Sequence, residues 1–160
     1  MGAERRALEQ KPAGANQDRL EFVTHSPEET VELGAQLARR LPHPCLLILQ
    51  GELGSGKTTL VKGIVSGLGI ARQEEVTSPS FTLVHEYGTD RKIYHADLYR
   101  VEGAREQLTL GLEDLLEQED TVIVEWGEKL IEQDVEVQVR IRMELLEGED
   151  RRITVEGLEK

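Results

Sequence analysis

The sequence predicts an α/β fold with a mixed parallel and antiparallel sheet, on three observations. Two apolar runs, "CLLILQ" (45–50) and "TVIVEW" (121–126), suit strands buried on both faces of a parallel sheet. A glycine-rich stretch, "GELGSGKTT" (51–59), joins the first run to a helix-forming segment. Near the C-terminus, "VEVQVRIRMELL" alternates apolar and charged residues from Val135 to Leu145, the pattern of a half-buried antiparallel strand.

The elements follow in chain order. Residues 1–18 are polar, lack a period and lack an apolar signal core; they are expected to be a disordered leader. Residues 19–160 are expected to form one domain, which 160 residues in all can support with a modest core. "RLEFVTH" (19–25) reads as a strand. "SPEETVELGAQLARRL" then reads as a helix, with Ser26 as N-cap, Pro27 at the first helical position and Glu29 completing a capping box. Pro42 and Pro44 end it. The helix after the glycine loop runs from about Lys57 to Leu68, with Gly67 and Gly69 as a glycine-rich exit. "FTLVHEYG" and "KIYHADLYR", separated by "GTDR", form a hairpin or two adjacent strands. "EGAREQLTLGLEDLLEQED" (102–120) is expected to be helical with an interruption at Gly111. "EGED" is a turn and "RRITVEG" the returning strand.

Composition bounds the function. The formal net charge is −12, which argues against a broad nucleic-acid face, since that needs clustered Lys and Arg. Cys45, the single cysteine, reads as a buried strand residue, and there is no Cys/His cluster for zinc. No apolar run is long enough to span a membrane, and a cytoplasmic location is expected.

The chemistry lies in the glycine loop. Gly51, Gly56, Lys57 and Thr58 fit the spacing of a phosphate-binding loop, G-x-x-x-x-G-K-[ST]. Gly54 and Gly56 let the backbone turn so that N–H groups converge on an anion, and the helix N-terminus adds partial positive charge. Lys57 would reach the β- and γ-phosphates of a nucleotide, the Thr58 hydroxyl would ligate Mg²⁺, and the Thr59 hydroxyl would meet the α-phosphate; Ser55 completes the cradle. The alternative, a surface turn with a solvated lysine, does not account for the strand before and the helix after. This makes the fold class a three-layer P-loop NTPase fold.

Such a loop needs an acid on the metal side, and Glu125 ends an apolar strand where a carboxylate is costly unless paired or facing a cation. Asp97, also at a strand end, either orients an attacking water or caps the next segment. "TSPSF" (77–81) is placed like a switch loop. On residue type alone Trp126 is core packing, and His85 and His95 are packed or exposed strand residues rather than ligands.

With "GELGSGKTT", "SPSFTLVHEY", "HADLYR" and "VIVEW" in that order and spacing, the chain resembles the TsaE (YjeE) family from about Leu20 to about Gly157. These are small bacterial P-loop ATPases of tRNA threonylcarbamoyladenosine biosynthesis. The resemblance implies slow hydrolysis of ATP with Mg²⁺. It implies association with TsaD and TsaB, whose complex carries out N6-threonylcarbamoylation of adenosine 37 in tRNAs reading ANN codons, so that tRNA is met only through that complex. It implies that Lys57, Asp97 and Glu125 serve catalysis, that Thr58 and Glu125 hold the metal, and that Trp126 lies near the nucleotide. Glu28 or Thr30, and Arg151 on the final turn or Arg152 beside it, fall near positions that approach the nucleotide. Two other readings of the loop are a small-molecule kinase, which would need an arginine-rich lid and an acceptor pocket, and a nucleotide-sensing adaptor without turnover.

Overall fold

The computed structural model describes residues 11–12, 19–79, 83–101, 114, 117, 119–127 and 136–158. Along the chain these form β1 (Lys11–Pro12), β2 (Arg19–Thr24), α1 (Pro27–Ala38), β3 (Leu46–Gly51), α2 (Lys57–Gly67), a 3₁₀ turn (Gln73–Glu75), β4 (Val84–Tyr87), β5 (Ile93–Asp97), β6 (Thr121–Glu125), β7 (Val139–Leu145) and β8 (Arg151–Glu156). The rest of the expected leader, most of the expected 102–120 helix and positions 80–81 of "TSPSF" lie outside the described residues.

All described strands join one sheet in the order β1-β2-β8-β7-β3-β6-β5-β4. The centre, β7-β3-β6-β5, is parallel, and the flanks pair antiparallel. β7 belongs to both halves: it runs antiparallel to β8, as expected of the alternating strand and its return, and also parallel to β3, which the alternation did not indicate. The physical reason is the connection. Residues 126–138 separate β6 from β7, and about a dozen residues suffice for a parallel crossover. The alternating pattern of β7 reports its open second face, where Arg140 and Arg142 are exposed, and carries no information on strand direction.

Side-chain parity divides the core. Leu47, Leu49, Ile93, Ile123, Ile141 and Val155 face α1 and α2, whereas Leu46, Ile48, Ala96, Val122 and Val124 are buried on the other face. Burial of β3, β5 and β6 on both faces is what the three-layer architecture requires.

Helix α1 starts as its sequence dictates. Ser26 Oγ accepts from Glu29 N–H at 3.1 Å with Pro27 at the first position. The return bond differs from the expected capping box, because the Glu29 carboxylate accepts from His25 N–H (2.9 Å), one residue before the cap. The two helices touch along a seam of small residues. A Cβ on Gly63 would lie 2.1 Å from Val31 O and 2.9 Å from Gly34 Cα, and one on Gly67 would lie 2.7 Å from Ala35 Cα. Gly67 is therefore a packing residue, while the helix exit belongs to Gly69 in the left-handed region (φ +73°).

Candidate nucleotide site

The parallel strands β3, β5 and β6 all end at the same edge of the sheet, where open α/β sheets bind ligands. β3 delivers the glycine loop there. Gly54 (φ +83°) and Gly56 (φ +99°) adopt left-handed conformations that few other residues tolerate. Gly56 occupies the N-cap of α2 and supplies no side-chain cap, so no N-cap side chain stands between the helix N-terminus and an anion.

Lys57 opens α2 and is only 5% exposed. Its ammonium donates to Gly51 O (2.7 Å), Glu52 O (3.0 Å) and Ser55 Oγ (3.5 Å), and lies 4.1 Å from the centre of the Trp126 ring. An ammonium this buried is tolerable because its donors are satisfied and the ring face is negative. Trp126 holds that position with φ +60°, a left-handed conformation costing about 1 kcal/mol or more in a non-glycine residue. Its ring also meets Tyr99, centroid to centroid 4.9 Å. The tryptophan borders the lysine and is not enclosed in the core.

The acids arrive by parity and register. Asp97 pairs with Glu125 across β5 and β6, and both share the α2-facing side with Ile93 and Ile123. Thr58 Oγ1 donates to Glu125 Oε2 at 2.9 Å. Asp97 Oδ1 accepts the Tyr99 N–H at 2.8 Å, so it caps the following segment, and Oδ2 accepts the Ser78 hydroxyl at 3.1 Å. His95 is fully buried and packed, as expected, but its Nε2 lies 2.5 Å from Glu125 Oε2, a link the sequence reading missed. The signal was available: His95 stands two residues before Asp97 in a strand, hence on the same face. His85 bonds Tyr87 Oη (3.2 Å), which also reaches Thr77. Burial pushes the Tyr87 phenol above its ordinary value, against a smaller opposing effect of its backbone bond at Thr77.

On the other side of the loop a cavity of about 190 Å³ is lined by Ser26, Thr30, Gly54, Ser55, Thr59 and Arg151, among others. Thr30 Oγ1 is 2.8 Å from Thr24 Oγ1, which fastens α1 to the end of β2. Arg151 shares a face with Ile153 and Val155 and reaches the carbonyls of Asp150 (2.8 Å), Gly148 (3.1 Å) and Gly54 (3.4 Å). Arg152 points the opposite way, to Glu21 (3.0 Å) and Glu144 (3.5 Å). Glu28 is exposed on the first turn of α1 and does not line the cavity, whereas Thr30 does.

The donor set fits a nucleotide with Mg²⁺. Mg²⁺ prefers hard oxygens and takes few from protein when phosphates supply the rest. Thr58 and Glu125 offer such oxygens side by side, and the described residues hold no cluster of three or more His, Cys, Asp or Glu that would cage a metal alone. Among the described residues, no helix is long and apolar enough to cross a membrane.

Comparison with known proteins agrees with the geometry. Residues 24–153 match the family described as "Threonylcarbamoyl adenosine biosynthesis protein TsaE". A protein of Treponema pallidum named tRNA threonylcarbamoyladenosine biosynthesis protein TsaE is 36% identical over 136 residues, covering 85% of this chain and 99% of the relative. The Bacillus subtilis protein of that name is 36% identical, covering 84% of each chain, and that of Synechocystis is 41% identical over 120 residues, covering 72% of this chain and 74% of the relative. The crystal structure of Bacillus subtilis YdiB superposes with a TM-score of 0.65 at 31% identity, covering 87% of this chain and 86% of that one.

Proposed function

The chain belongs to the TsaE family of threonylcarbamoyl adenosine biosynthesis proteins, and from that premise we propose that it binds and hydrolyses ATP with Mg²⁺ in support of tRNA threonylcarbamoylation. The partners are a TsaD and a TsaB protein, which carry the transfer to adenosine 37, and tRNA is contacted through them. The observation that supports this reading best is the 2.9 Å bond from the Thr58 hydroxyl to Glu125, which couples the phosphate loop to the acid of a second parallel strand.

Each residue has a part. Backbone N–H groups of the glycine loop and of the first turn of α2 cradle the phosphates, and Lys57 carries positive charge to them. Glu125 takes the hydroxyl hydrogen of Thr58, which turns the oxygen lone pairs outward toward a cation. Mg²⁺, held by Thr58 and Glu125, would supply charge neutralisation for phosphoryl transfer. Asp97, with its carboxylate fixed by Ser78 and the Tyr99 N–H, orients the attacking water. Arg151, Thr30 and Thr59 border the cavity that takes the nucleoside end.

The test is reconstitution on tRNA with TsaB and TsaD, comparing wild type with Lys57→Ala, Asp97→Ala and Glu125→Ala. Wild type should sustain repeated rounds of modification and turn over ATP without a small-molecule acceptor, while the variants stall. Equal multiple-round yield from all four proteins would refute the role. Strict dependence on a small-molecule acceptor would point to a kinase, and binding without turnover in the full complex would point to an adaptor.

A further inference from the structure

We propose that His95 is a positioning residue for Glu125, holding the carboxylate in the rotamer that accepts the Thr58 hydroxyl and leaves its second oxygen facing the metal side. The proposal rests on the reading of Glu125 as the acid of a Mg²⁺-nucleotide site.

Three observations converge. His95 is fully buried, yet its Nδ1 has no hydrogen-bond partner among the described residues. Burying an imidazole with an orphan nitrogen is unfavourable where Leu or Phe would fill the same volume, so packing does not explain the residue. Its other nitrogen, Nε2, lies 2.5 Å from Glu125 Oε2. A carboxylate only accepts, so the hydrogen of that bond sits on Nε2; in the neutral ring Nδ1 is then a bare lone pair. Finally, Thr58 donates to the same oxygen, Oε2. Two donors from α2 and β5 thus hold one oxygen, and Oε1 takes no hydrogen bond from the described residues. Without His95, Oε2 keeps only a rotatable hydroxyl on a helix, and the carboxylate is free to turn. Partners of this kind set ligand orientation and are commonly worth about 10–100-fold in metal affinity or activity.

The experiment has a ligand-free arm and a functional arm, both on the full chain. In ¹⁵N-histidine NMR without nucleotide, His95 should show the Nε2–H tautomer with a slowly exchanging proton that shifts in Glu125→Gln. An Nδ1–H tautomer would overturn the proposal, whatever the protein hydrolyses. In the second arm, His95→Leu and His95→Gln are compared by thermal melting, by titration of MgCl₂ at fixed ADP, and by ATP turnover. His95→Leu should need about tenfold or more MgCl₂ for half-maximal enhancement of ADP binding and lose about tenfold or more in kcat, with KM for ATP within about threefold. His95→Gln keeps an N–H donor and should recover to within about threefold of wild type. A wild-type response from His95→Leu, or a folded His95→Gln as defective as a folded His95→Leu, overturns the proposal. Should His95→Leu fail to fold, His95→Gln and the tautomer decide. Should MgCl₂ leave ADP affinity of the wild type unchanged, the metal reading of Glu125 fails, and the tautomer still decides whether His95 holds that carboxylate.

Discussion

Gly63→Ala pits local preference against packing, and the structure decides the sign. Ala is favoured over Gly inside a helix by about 1 kcal/mol, so α2 alone would gain from the change. The added Cβ would sit 2.1 Å from Val31 O, whereas an ordinary contact is 3.4 Å or more. Both atoms beneath it, Val31 O and Gly34 Cα, are backbone, so no rotamer change relieves the clash and α1 must move away by roughly 1.3 Å. Leu33, Leu37, Leu60 and Ile64 are buried at this seam, and gaps of 0.5–1 Å forfeit about a quarter to a half of each contact's attraction. Overpacking of this kind costs typically about 1–3 kcal/mol, and here the upper end or beyond, because the clash is with backbone. The net loss is then about 2 kcal/mol, a drop in Tm of roughly 4–8 °C for a chain of this size. Urea denaturation and thermal melting measure it. Gly69→Ala is the control: its φ is +73° with nothing within 4 Å, so only the conformational cost of about 1–2 kcal/mol applies. Stability of Gly63→Ala equal to or above wild type would show that the helix contact is not as close as described.

Further outcomes follow from the site. Trp126 is the only tryptophan and faces Lys57 at 4.1 Å, so ADP addition should change its fluorescence; Trp126→Ala removes a cation–π contact of about 0.5–2 kcal/mol and should weaken ADP binding several-fold by calorimetry. Arg151→Ala should raise the Kd for ADP about tenfold, since Arg151 ties β8 to the loop at Gly54, whereas Arg152→Ala should change it less than about twofold because its exposed ion pairs face the other way. Tyr87 has a raised pKa in the folded state, so the stability it carries is complete below pH 10 and falls as pH rises past 10 through the folded value; the urea midpoint should fall more steeply there in wild type than in Tyr87→Phe.

Much of this site was legible because it is written in periodicities and spacings. The phosphate loop announces itself through fixed offsets, and Glu125 through an acid closing a fully apolar run, which only a cation or a donor makes tolerable. What stayed hidden depends on which strands become neighbours. β7 alternates because one face of the sheet is open beside it, and alternation is silent about whether its partner runs parallel. The role of Gly67 required knowing that α1 lies against α2, a contact between segments about thirty residues apart. His95 was dismissed residue by residue, when parity with Asp97 and pairing of β5 with β6 were needed together to see it meet Glu125. Arg151 and Arg152 could not be separated by position alone, yet opposite faces of β8 send one to the loop and the other to Glu21 and Glu144.

The double allegiance of β7 has a thermodynamic consequence. The sheet has a parallel centre, buried on both faces at β3, β5 and β6, with β4 antiparallel at one edge and β8, β2 and β1 antiparallel at the other; β7 is the strand that the centre shares with this second flank. Opening of β1, β2 and β8 can therefore proceed without breaking the β3–β6 pairing, as a cooperative unit of lower free energy than global unfolding. The cavity that takes the nucleotide in the proposed reading has walls from both sides of that division: Arg151 from β8 and Thr30 beyond β2, against Ser55 and Thr59 of the loop and α2. A ligand seated there is lost if either half opens. At 100 times its Kd it would add about 2.7 kcal/mol against both openings, so amides of the flank and of the centre should gain protection by the same amount.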